Sequence, residues 1–143
     1  MAMSTHDLKS LYREYVEAVW HRRNVAAADD YFTDDVVDHA APPQQGPGLA
    51  GLKATFAMFL EAFPDFHITI EDLIAEGDKL VARVSFTGTH RGAYHGIPAT
   101  NRAIASGGTH IVRYVGKKVA EHWAHSDDLR TRQQLGLLPA PGQ

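Results

Sequence analysis

The chain has 143 residues, 44% of them hydrophobic, which suits one domain around one core, and its net charge of −3 gives no basic face for nucleic acid. It has no cysteine, so disulfides, thiolate nucleophiles and zinc–thiolate sites are excluded. No apolar run approaches the roughly 20 residues of a membrane helix and no signal-peptide core opens the chain, so a cytoplasmic protein is expected.

Leu8, Leu11, Tyr12, Tyr15, Val16, Val19 and Trp20 recur at the spacing of an amphipathic helix. Ser4 or Thr5 stands where it would cap that helix, which is predicted to run to about His21. Asn24 can cap a second, short helix through Tyr31 and Phe32, ended by Thr33-Asp34-Asp35. Val36 to His39 reads as a short extended segment, and the Pro- and Gly-rich stretch after it as a loop. A third helix follows, with Leu49, Leu52, Phe56, Phe59, Leu60 and Phe63 on its apolar stripe, and Pro64 stops it.

The remainder alternates as strands do. Phe66, Ile68 and Ile70 open the first, and Gly77-Asp78 turns the chain into a second, from Leu80 to His90. A loop with Gly92, Gly96 and Pro98 leads to a long strand from about Arg102 to Tyr114. Gly116-Lys117 turns into the last strand, which ends at Asp127, and a short helical tail closes the chain. Helices followed by consecutive hairpins predict a single α+β domain over residues 4–138. Three N-terminal helices should pack on one face of a strongly curved antiparallel sheet.

Strict alternation carries polar groups onto the core face. His90 shares parity with Leu80, Val84 and Phe86; His110 with Ile104, Val112 and Tyr114; Asp127 with Val119 and Trp123. A bulge would flip any residue beyond it. Together these residues predict an apolar pocket holding an acid and one or two imidazoles. Asp127 or Asp128 also stands where an N-cap for the tail would, and a core histidine is often only hydrogen-bonded. Nine histidines show no metal-ligand spacing: His122 and His125 would face opposite ways on a strand, and no H-E-x-x-H run occurs. No metal or cofactor is therefore expected.

Four stretches carry a family likeness. GLAGLKATFAMFLEAFPDFHITIEDLIAEGDKLVARVSFTGTH, RGAYHGIPATNRAI, GTHIVRYVGKKVAEHWAHSD and DLRTRQQLGLLP together resemble the SnoaL-like polyketide cyclases, or ester cyclases, of the nuclear-transport-factor-2-like fold. The resemblance implies a cone of three helices on a curved sheet and a homodimer through the sheet. It makes Asp127 the acid/base that closes the last strand and His110 its inward partner. The residues around that acid here are His125, Asp128, Arg130, Thr131 and Arg132, more polar than the aliphatic residues common in relatives.

The expected activity is thus a cofactor-free intramolecular aldol condensation of a small hydrophobic carbonyl compound. Asp127, raised in pKa by burial beside Trp123, would move the protons, and His110 would stabilise oxyanion charge. Trp123, His90, His39, Phe59, Tyr114 and His125 are the expected substrate contacts. Two rivals stand beside this reading: a hydrolase or isomerase using the same pocket, and a non-catalytic ligand-binding module.

Overall fold

The computed structural model describes residues 3–142. Helix α1 spans Thr5–Tyr15 and opens on a capping box: Ser4 Oγ accepts the Asp7 N–H, and the Asp7 carboxylate accepts the Ser4 N–H, both at 3.1 Å. The same helical path continues as a π-helical turn, Val16–His21. Trp20 Nε1 donates to the Tyr15 hydroxyl at 2.8 Å across this turn, and Tyr15, Val16 and Trp20 all face the cavity described below. A 3-10 turn, Val25–Asp30, comes next. It is shorter than the predicted second helix: Asn24 makes no side-chain cap bond, and Phe32 already belongs to strand β1, Phe32–Asp38.

Helix α2 covers Gly48–Ala62, and Pro64 lies two residues beyond its end. Its N-terminal turn is pressed against the preceding loop, since a Cβ on Gly51 would stand 1.8 Å from the Gly46 carbonyl oxygen. Only glycine permits that approach, and it fixes the loop that carries Gln44 and Gln45.

Strands β2 (His67–Glu76), β3 (Lys79–Thr89), β4 (Ala103–Val115) and β5 (Lys118–Ser126) pair antiparallel in succession, as predicted. Gly77 and Gly116, both with φ near +60°, make the two tight turns. The sheet has one more strand than the hairpins foretold, because β1 pairs parallel with β5 and gives the order β1-β5-β4-β3-β2. A short helix α3, Asp128–Gln134, closes the fold.

The helices pack on the sheet around a single buried cluster running from Leu8 and Val19 through Phe56 and Phe63 to Leu80, Val112 and Leu135. Fully buried side chains such as Phe63 and Leu80 each contribute about 1.5–3 kcal/mol by leaving water.

One irregularity decides which side chains of β5 face inward. Arg113 pairs with Glu121, but Tyr114 pairs with Val119, so Ala120 is an extra, unpaired residue in β5. This bulge reverses the facing of every residue beyond it. Val119 is buried in the core, and past the bulge His122, Ala124 and Ser126 line the cavity described below.

Candidate functional site

Between helices and sheet lies a cavity of about 530 Å³, within the range of small-molecule sites. Aromatic and aliphatic side chains make most of its wall, including Trp20, Phe56, Phe59, Ile68, Val84 and Phe86. Asp38, His110 and His122 bring polar groups to that wall from three adjacent strands.

These three side chains are joined in a line. His122 Nδ1 lies 2.8 Å from Asp38 Oδ1, and His122 Nε2 lies 2.9 Å from His110 Nδ1. The parallel register of β1 on β5 sets Asp38 beside His122, and the antiparallel register of β4 sets His110 opposite Ala124, one pair away. A carboxylate can only accept, so His122 Nδ1 carries a proton. A neutral His122 then accepts at Nε2 from the Nδ1–H of His110. In that arrangement His110 Nε2 carries the lone pair, and no hydrogen bond to it is formed among the described residues.

The carboxylate at the far end is fully occupied. Asp38 Oδ1 also accepts the Ala40 N–H at 3.0 Å, and Oδ2 accepts the Gln45 amide at 2.9 Å. Gln45 is itself held by the Thr55 hydroxyl at 2.6 Å. Burial pushes the Asp38 carboxyl upward, but the donors from His122, Gln45 and Ala40 outweigh it and hold Asp38 below the usual carboxylate range. For His110, burial and the neighbouring His122 lower the pKa to about 4, against an opposing pull from Asp38. His110 is therefore neutral at pH 7, with a lone pair on one ring nitrogen.

That shift has a consequence for stability. The unfolded chain protonates His110 near pH 6.5, whereas the native protein resists until about pH 4. Its contribution is fully present above pH 6.5 and is lost as pH falls toward 4, a change of about 3 kcal/mol. Denaturant unfolding from pH 7 to pH 4 should show that loss in the wild type and a shallower one in His110→Gln. Equal slopes would contradict it.

The predicted residues are distributed differently from the parity reading. His110 and Phe59 line the cavity as expected. Asp127 does not: it is exposed, and its carboxylate accepts the Arg130 N–H at 3.1 Å as the N-cap of α3. Trp123 lies on the other face of β5, where its ring stacks on His39 with centroids 4.9 Å apart and the Lys79 ammonium sits 5.9 Å from it. His39 bonds Glu121 at 2.7 Å there, and His125 is exposed. The bulge at Ala120 accounts for Trp123, His125 and Asp127 together.

His90 and Tyr114 are inward but sit in the core rather than on the cavity wall. His90 is fully buried, with Nδ1 paired to Thr100 Oγ1 at 3.0 Å. Removing a cap of the Asp127 kind costs about 1 kcal/mol. Asp127→Ala should accordingly lower the melting temperature slightly and leave turnover unchanged. A hundredfold loss of turnover with a normal melting curve would return Asp127 to the reaction.

Asp38, His122 and Gln45 escaped the sequence reading. Without the bulge His122 falls on the solvent face, and nothing in the short Val36–His39 segment names its partner strand. One signal was present: strict alternation put Glu121, His125 and Asp127 all on the core face of one strand. Three ionisable groups there are too costly to bury, and this conflict marks the bulge.

Comparison with known proteins places the chain among relatives. The family model described as SnoaL-like polyketide cyclase matches residues 10–135. Aklanonic acid methyl ester cyclase DnrD from Streptomyces peucetius is 28% identical over a 135-residue alignment that covers 88% of this chain and 88% of DnrD. The structure of TsrD from Streptomyces laurentii is similar with a TM-score of 0.87 and 26% identity, covering 95% of this chain and 99% of TsrD. AclR from Streptomyces galilaeus, described as a candidate hydroxylase, gives a TM-score of 0.84 and 26% identity, over 98% of this chain and 87% of AclR.

Proposed function

Because the chain belongs to the SnoaL-like polyketide cyclase family, we propose that it closes a ring by intramolecular aldol condensation, with His110 as general base and His122 and Asp38 as its support. The observation that carries this is the Asp38–His122–His110 line ending in an unpartnered imidazole nitrogen on an apolar cavity. The relative DnrD is a cyclase of aklanonic acid methyl ester. A polyketide carrying a carbon flanked by two carbonyl groups is the corresponding substrate class for this chain.

The steps balance without an oxidant, metal or nucleotide. His110 Nε2 takes the proton from the carbon flanked by carbonyls, leaving an enolate. As it does so, the Nδ1 proton of His110 passes to His122 Nε2. The positive charge then rests on His122, 2.8 Å from the Asp38 carboxylate, which is where it is best stabilised. The enolate carbon attacks a second carbonyl of the same molecule and forms the ring bond. The resulting alkoxide takes the proton back from His110 Nε2, and the His122 proton returns to His110 Nδ1. Apolar walls keep water from protonating the enolate early.

Incubation of the protein with an aromatic polyketide β-keto methyl ester tests the proposal. The expected product has the mass of the substrate and a new retention time, since an aldol closure is an isomerisation. Release of the free acid and methanol would favour the hydrolase reading. Tight binding with no product would favour the binding module.

A further inference from the structure

The cavity is polar at two ends, and the relay occupies only one of them. At the other, β5 passes into α3, and Asp128 and Arg132 lie one helical turn apart on the cavity wall while remaining exposed to solvent. Tyr94 and His95, from the loop after β3, share this rim. The Arg132 guanidinium forms no ion pair, with Asp128 or any other carboxylate, among the described residues. The apolar wall between the two ends has no use for that charge.

His95 is built into place. Its backbone is left-handed, with φ at 47°, a conformation that non-glycine residues rarely adopt. Gln44, from the loop before α2, reaches across with its amide nitrogen 2.6 Å from His95 Nδ1. An amide nitrogen donates, so Nδ1 accepts and the ring proton sits on Nε2. Burial and the nearby Arg132 lower the His95 pKa and keep the ring neutral.

We propose that this rim binds the carboxylate of an anionic substrate, Arg132 supplying the charge and His95 the neutral donor, so that the protein takes a free acid in preference to its methyl ester. The inference rests on the cyclase reading only in putting the reacting carbon at His110. His110 pairs with Ala124, and from there the chain runs two strand residues to Ser126 and turns into α3 at Asp128. The substrate therefore carries its acid on a different part of the molecule from its reacting carbon. Asp128 works against the anion and limits the preference to a moderate one.

Two probes that cannot cyclise, anthraquinone-2-carboxylate and its methyl ester, test this with the full chain. Binding is read from quenching of Trp20, which lines the cavity. The wild type should bind the acid about tenfold more tightly than the ester, the size expected for an exposed charge-assisted contact. Arg132→Gln should bring the ratio to about one by weakening the acid alone, and Asp128→Asn should widen it. Equal affinity in the wild type, no binding of the acid, or equal weakening of both probes in Arg132→Gln would overturn the proposal. The cyclase reading fails on a different result, the absence of ring closure on a β-keto ester.

Discussion

Replacing His110 by glutamine is expected to lower turnover by about 10²–10⁴-fold, the usual worth of a general base, while the protein still folds. Glutamine can keep a donor toward His122 Nε2, so the line from Asp38 is not left open at its buried end. It cannot take a proton from carbon. Because the lost interaction belongs to the transition state, kcat should fall and KM should change little. The pH profile of the wild type gives a second reading. Its acid limb reports protonation of His110, which touches His122. Burial and His122 displace His110 downward, so the limb should lie below the value of a free imidazole and disappear from the residual activity of His110→Gln. Full activity in the variant would show that the relay plays no part in the reaction.

What the sequence disclosed and what it hid follow from the range of the interactions involved. α1 and α2 are set by local periodicity, a capping box and a proline stop, and both were legible. The two hairpin turns carry glycines with positive φ and were legible as well. The pairing of β1 with β5 was not, because a parallel partner far along the chain leaves no local mark. The site depended on both kinds of feature. His110 lies on a regular strand, where alternation holds, and it stands on the cavity wall. Its partners lie beyond a one-residue bulge and on the parallel strand, and they were missed. The family likeness pointed to Asp127, whose carboxylate caps α3 in this structure, while its neighbours Ser126 and Asp128 face the cavity. A change of one residue in register is enough to replace an acid at a strand end, on the cavity wall, by a pair of imidazoles backed by another acid.

Asp38→Asn separates these two accounts most sharply. In the wild type the ionised Asp38 leaves His122 no choice of tautomer: Nδ1 carries the proton, Nε2 accepts, and the lone pair of His110 Nε2 is free. An asparagine turned so that its amide faces His122 donates to Nδ1 instead, giving up the bond that Oδ1 accepts from the Ala40 N–H. The proton of His122 then moves to Nε2, His110 must accept at Nδ1, and its own proton shifts to Nε2. The base is blocked by a change of one atom some distance away. Loss of the carboxylate also removes the charge that would stabilise protonated His122 during the reaction. Turnover should fall by about 10²–10⁴-fold, comparable to other variants that leave a catalytic imidazole in the wrong tautomer. Imidazole nitrogen chemical shifts supply the readout that a merely structural role would not move. His110 Nε2 should read as unprotonated in the wild type and as protonated in Asp38→Asn. Unchanged nitrogens with unchanged turnover would mean that Asp38 only anchors the loop through Gln45. In that event His110 would act without the line behind it.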